Sequence, residues 1–110
     1  MSVISIVSDD FEKCIESNEI VFLDFWAPWC APCAAFSKVY HEVAKSYPKL
    51  TFATINIDES PSLADSLEVR SIPYLMVFKQ QVAIYAEAGS MPASRLKELA
   101  EQAISVEVKT

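Results

Sequence analysis

Apolar positions alternate along the chain between short continuous runs and runs that recur every three or four residues. These two spacings mark buried strands and amphipathic helices. Val3 to Val7 is short and β-branched and predicts a first strand. Asp9 to Asn18 predicts a helix, with Asp9 as N-cap, Glu12 three residues on, and Phe11, Cys14 and Ile15 as its apolar face. Ile20 to Trp26 is nearly all apolar and predicts a buried central strand, broken by one charge, Asp24. Cys33, Phe36, Tyr40, Val43 and Tyr47 recur at helical steps and predict a long helix from Cys30 to Tyr47, stopped by Pro48. Leu50 to Ile57 predicts another strand, and Pro61 to Leu67 a short helix with Ser60 as its cap and Pro61 at its first position. Tyr74 to Phe78 and Val82 to Ala88 predict a hairpin joined by Lys79, Gln80 and Gln81. Ser90 to Ile104 predicts a closing helix, with Pro92 near its start and Leu96, Leu99, Ala100, Ala103 and Ile104 on one face. The tail from Ser105 to Thr110 is expected to fray.

The resulting order, β-α-β-α-β-α-β-β-α, is that of an α/β fold: a central sheet with helices on both faces, made mixed by the final hairpin. A length of 110 residues fits one domain, 1–110. Half the chain is hydrophobic, which excludes a disordered class. The net charge of −6, with no basic stripe, argues against nucleic acid as a partner. Met1 to Val7 lacks the basic and apolar regions of a signal peptide, and no run is long enough to span a membrane, so no membrane association and a cytoplasmic address are expected.

Three cysteines are too few, and odd in number, for a disulfide-stapled secreted domain. Cys30-Ala31-Pro32-Cys33 instead places two thiols three residues apart at the start of a predicted helix. Unpaired N–H groups and the positive end of the helix dipole favour a thiolate there, most strongly at the first cysteine. Pro32 costs little in the first turn, where its missing N–H has no helical partner. Tetrahedral zinc would need four ligands. His41 lies eight residues beyond Cys33, about 12 Å along a helix axis, so it cannot join the same ion, and no metal site is expected. His41 reads as a solvated helix residue and Cys14 as a small buried hydrophobe. Asp24 is either paired with a lysine or left alone in its strand, where burial would raise its pKa and suit it to proton transfer.

The stretch from Phe25 through Trp26-Ala27-Pro28-Trp29 to Cys33 resembles the active-site segment of the thioredoxin family. The likeness continues through Asn56-Ile57-Asp58, Ile72-Pro73-Tyr74, Val77-Phe78-Lys79, Gly89 and Leu96-Lys97-Glu98, which covers nearly the whole chain. It implies a thioredoxin fold, with a five-stranded mixed sheet flanked by four helices, and a protein-disulfide reductase working by dithiol–disulfide exchange. By the same likeness Cys30 would attack, Cys33 would resolve, and Asp24 would be the buried carboxylate beneath the pair. Ala31 and Pro32 would tune the redox loop, and Pro73 would be a cis-proline beside the site. Trp29, Ile72, Pro73, Ala88 and Gly89, with Ser90, would form the surface that docks substrates, and Trp26 would belong to the core. The implied partners are disulfide-containing proteins and a thioredoxin reductase. The chain would be a monomer with no bound cofactor, drawing on NADPH only through the reductase.

Four positions depart from the family pattern. Ala31 replaces a glycine and favours helix by about 1 kcal/mol. Lys38 replaces a helix-kinking proline, so a straighter helix is expected. Thr54 replaces a lysine near the carboxylate, which makes Asp24 harder to ionise. Gln81 replaces a turn glycine. Two other readings remain at this stage: a disulfide oxidase or isomerase of the same fold, and a binding scaffold without turnover. An oxidase needs a strongly stabilised thiolate, often supplied by a histidine inside the motif, where this chain has Ala31 and Pro32.

Overall fold

The alternating apolar runs pair as five strands: β1 (Val3–Ser5), β2 (Ile20–Trp26), β3 (Thr51–Asn56), β4 (Tyr74–Lys79) and β5 (Val82–Ala88). They are seen in a computed structural model that describes residues 2–108. The sheet order is β1-β3-β2-β4-β5, with β1 and β2 parallel to β3, β4 antiparallel to β2, and β5 antiparallel to β4. Four helices cover it: α1 (Phe11–Ser17), α2 (Ala31–Ala44), α3 (Pro61–Ser66) and α4 (Ala93–Ser105).

Side chains alternate across each strand, and this sorts β2 into two sets. Val21, Leu23 and Phe25 pack with Cys14 of α1 and with Leu63 and Leu67. Ile20 and Phe22 pack with Phe36, Tyr40 and Val43 of α2 and with Leu96, Leu99, Ala100 and Ala103 of α4. Asp24 is next on the α2 face. Thr54 of β3 and Ser5 of β1 stand beside it in register, which makes a polar row, Ser5–Thr54–Asp24, on the same side as α2.

Element ends differ from the sequence expectations for identifiable reasons. The chain before α1 makes a short 3-10 turn at Ser8–Asp10, and Asp9 is not the N-cap. The carboxylate of Asp10 instead reaches back to accept the Val7 N–H at 3.3 Å. Ser60 is the N-cap of α3, as expected, but its side chain makes no capping hydrogen bond; its Oγ instead accepts the Ser8 N–H at 3.0 Å and joins two distant loops. α2 stops at Ala44, because the N–H groups of Ser46 and Tyr47 turn to carbonyls three residues back. The Tyr47 hydroxyl then donates to Glu101 of α4 at 2.7 Å. Across Lys38 the helix is uninterrupted. Pro92 is the N-cap of α4 and not part of it. Lys79 belongs to β4, which leaves a two-residue turn at Gln80 and Gln81, both with positive φ (50° and 69°).

Candidate active site

β2 delivers the chain to Trp26, and the link Ala27-Pro28-Trp29 leads into α2. Cys30 is the N-cap of α2: its backbone is extended, and its Sγ accepts the N–H of Cys33 at 3.2 Å. An oxygen-bearing cap usually fills this position, satisfying one of the four free N–H groups of the first turn. Here a sulfur does so, at the positive end of the helix. Pro32 occupies the first turn. Cys30 and Cys33 are joined as a disulfide, with Cα atoms 5.2 Å apart. Cys33 is 2% exposed and Cys30 7%. With Ala27 they form a small cluster against Trp26, Ile57 and Ile72. Trp26, expected in the core, is half-buried at this site.

The other expected residues gather around the pair. Trp29 is 68% exposed, and its indole N–H donates to both carboxylate oxygens of Asp58, at 3.1 and 3.3 Å. Asp58 is itself fixed by a turn in which its N–H donates to the Asn56 side-chain oxygen at 2.9 Å. The Ile72–Pro73 bond is cis, and the Ile72 carbonyl oxygen lies 3.8 Å from Cys30 Sγ. Pro73 is buried, Ile72 half-buried, and Ala88, Gly89 and Ser90 are exposed. Gly89 donates its N–H to the Pro73 carbonyl at 2.8 Å, which brings the end of β5 beside the pair. Its φ of +110° is one that L side chains rarely adopt, and a Cβ there would meet nothing within 4 Å. The backbone conformation, and not space, therefore calls for glycine.

Asp24 shares a cavity with the disulfide and is 2% exposed, and its Oδ1 has no hydrogen-bond partner among the described residues. The lysine pairing that its sequence position left open is not made. Desolvation raises its pKa from an ordinary 3.8 to about 7. It lines a cavity of about 330 Å³ shared with both cysteines, Ser5, Thr54, Ser37 and His41. Cys14 is free and buried on the far face of the sheet. Burial, aided by Asp10, raises its thiol pKa. Among the described residues, no group of three His, Cys, Asp or Glu is placed to hold a metal ion.

Sequence reasoning missed Asp58 as the partner of Trp29, and it missed Ser5, Ser37 and His41 as walls of the Asp24 cavity. The Asn56-x-Asp58 spacing was the available signal for the first, since such side chains bond backbone two residues on.

The thioredoxin family model matches residues 2–102. The chain belongs to the thioredoxin family. It is 36% identical to a putative thioredoxin 2 of Streptomyces coelicolor over 93% of this chain and 76% of that one. It is 38% identical to thioredoxin 1 of Synechococcus elongatus, over 87% and 92%. Among solved structures, a mutant thioredoxin from Halobacterium salinarum superimposes with a TM-score of 0.88 at 25% identity, covering 96% of this chain and 94% of that one. The thioredoxin of Plasmodium falciparum gives 0.82 at 31%, covering 90% and 96%. As a family member the chain is a thiol–disulfide oxidoreductase, a disulfide reductase whose redox-active group is a cysteine pair and which carries no bound cofactor. Its partners are disulfide-containing proteins and, as is typical of the family, a reductase. No helix among the described residues is long and apolar enough to cross a membrane.

Proposed function

We propose that Cys30 attacks the substrate disulfide, that Cys33 resolves the product, and that Asp24 takes the proton Cys33 must lose. The carrying observation is the asymmetry of the pair. Cys30 caps the helix beside exposed Trp29 and receives an N–H, whereas Cys33 sits one turn further in and is the more deeply buried of the two; both line the Asp24 cavity. In the reduced state the Cys30 thiolate attacks one substrate sulfur, forms a mixed disulfide and expels the other sulfur as a thiolate. Asp24 accepts the Cys33 proton. The Cys33 thiolate then attacks Cys30 Sγ, forms the Cys30–Cys33 disulfide and releases the second substrate thiolate. Two electrons pass to the substrate.

Trp29, Ile72, Pro73, Ala88 and Gly89 form the docking surface in this reading. Trp29, Ala88 and Gly89 are exposed, while Pro73 shapes the surface from behind. Ala31 and Pro32 set the stiffness of the helix start and so tune the pair. The chain works as one thioredoxin domain, 1–110, and as a cytoplasmic monomer kept soluble by its net charge of −6. A thioredoxin reductase restores the dithiol with electrons from NADPH.

The test is NADPH consumption in an assay coupling thioredoxin reductase to a disulfide-bonded protein. Turnover is expected with the intact chain and none with Cys30→Ser. Activity surviving in that variant overturns the assignment of Cys30.

A further inference from the structure

In the proposed mechanism Asp24 gains a proton when the pair is oxidised and can return it to the Cys33 thiolate when the pair is re-reduced; between the two steps a carboxyl that equilibrates with solvent needs a path for that proton. The carboxyl has no hydrogen-bonded protein route outward, since its Oδ1 is unpartnered and the residue is almost wholly buried. What it does have is the cavity. Besides Asp24 and the cysteines, the polar side chains on its wall are the hydroxyls of Ser5, Thr54 and Ser37, the indole of Trp26, which only donates, and the imidazole of His41. Its volume of about 330 Å³ has room for several waters, each of which occupies roughly 30 Å³ in the liquid. Hydroxyls both donate and accept, so they can pass a proton along a water chain but cannot hold it.

His41 is the one wall residue that is exposed to bulk solvent and also carries a side chain able to hold a proton. Its geometry leaves it free to do so. The Nδ1 atom lies 2.8 Å from the Ser37 carbonyl oxygen, which only accepts, so Nδ1 must donate. Nε2 has no protein partner among the described residues and is open to gain and lose a proton. The same contact, one helical turn back along α2, holds the ring against the cavity wall.

We propose that His41 is the outer proton-exchange group of this site, passing to bulk solvent, through the hydroxyl-lined cavity, the proton that Asp24 takes from Cys33. The proposal rests on the proton-acceptor role of Asp24. His41 touches neither the sulfurs nor the substrate; it acts through Asp24.

Chemical rescue tests it. Reduced protein is mixed with excess disulfide substrate in dilute buffer near neutral pH, and turnover is followed with a thiol-based reductant present, for the intact chain, His41→Ala, Asp24→Asn and the double variant. His41→Ala is expected to turn over several-fold more slowly in dilute buffer and to recover as free imidazole is added, because a small diffusing base can enter where the ring was. A structural effect at this exposed position would not respond to imidazole. In the Asp24→Asn background the same substitution should change nothing further. If Asp24→Asn slows turnover while His41→Ala does not, or if its loss is not restored by imidazole, the exchange role is wrong and the proton-acceptor role stands. If Asp24→Asn leaves turnover unchanged, both fail together.

Discussion

Asp24 stands where the alternation of β2 turns it toward α2, into the row Ser5–Thr54–Asp24, with no cation beside it. Its pKa of about 7 couples stability to pH. Below the ordinary value of 3.8 both folded and unfolded chains are protonated there. Between pH 3.8 and about 7 the folded protein keeps a proton that the unfolded chain has released, so stability falls as pH rises. Above about pH 7 the penalty is constant, at about 4 kcal/mol from 1.36 kcal/mol per pH unit. Asp24→Asn removes that penalty but leaves an amide whose own unmet hydrogen bonds cost about 1–3 kcal/mol. The variant should therefore be more stable than the parent at alkaline pH, by about 1–3 kcal/mol, and should become less stable than it, by about 1–3 kcal/mol, as pH falls toward 4 and only the cost of the amide remains. Urea melts across this range measure it, and a gain independent of pH would show that the carboxyl is not so perturbed. The same variant should reduce substrate more slowly and lack the rise in rate through about pH 7 that ionisation of Asp24 is expected to give the parent. Asp24 was legible in the sequence because a single charge inside an apolar run has few explanations. Thr54 was legible only through the family likeness. Ser5 and His41 were not legible as neighbours of Asp24, because strand register and helix docking bring them there, and neither leaves a local pattern.

At the scale of elements, continuous apolar runs identified all five strands, helical spacing identified three of the helices, and Ser60 with Pro61 identified the short α3. What the pattern could not resolve was their ends, which distant partners decide. Lys79 is the clearest case. Read as part of a turn, it is a 6% exposed residue of β4 whose Nζ donates to the carbonyls of Ala103, Ile104 and Val106, at 2.8, 3.0 and 2.6 Å. A cation so placed satisfies the free carbonyls at the end of α4 and opposes the negative end of its dipole. No local signal announces it, since its partners lie far along the chain. Lys79→Met keeps the buried stem and removes the three donors, and should destabilise the protein by about 2–4 kcal/mol, the charged bonds being worth about 1.5–3 each but not additive. Thermal or urea unfolding of the variant reads this directly; an unchanged midpoint would mean that solvent serves the carbonyls equally well. The neighbouring turn runs the other way. Gln80 and Gln81 both occupy the left-handed region, the geometry of a two-residue hairpin turn that favours Asn-Gly. Replacing them with Asn-Gly should raise stability by about 1 kcal/mol or slightly more, since each side chain now strains the backbone. Unfolding midpoints measure it, and a loss would mean that the glutamine side chains contribute more than the strain costs.

Over the whole molecule, the strands end so that the chemistry collects at one pole. β2 and β3 are parallel and finish together at Trp26 and Asn56, while Tyr74 begins β4 opposite Phe25 and pairs with Ala88 at the end of β5. This edge, at the carboxyl ends of parallel strands, is where α/β sheets commonly present ligand sites. It carries the Cys30–Cys33 pair, exposed Trp29 held by Asp58, and the Ala88-Gly89-Ser90 loop held by Pro73. Cys14 lies on the opposite face of the sheet and cannot serve the pair. A partner approaching this pole therefore meets the less buried sulfur, that of Cys30, first and has one further thiol to release it. Cys33→Ser should turn the protein into a trap. Cys30, capping α2, still attacks and forms the mixed disulfide, but a serine hydroxyl is far too weakly acidic to supply the resolving nucleophile. Adducts through Cys30 should accumulate with a disulfide-bonded protein and be released by added dithiol. Cys30→Ser should give no comparable trapping, because the remaining thiol is 2% exposed and lies one turn inside the helix. Mass spectrometry of both variants after incubation with the same protein decides it. Abundant adducts on Cys30→Ser with none on Cys33→Ser would reverse the two roles and with them the direction of proton flow to Asp24.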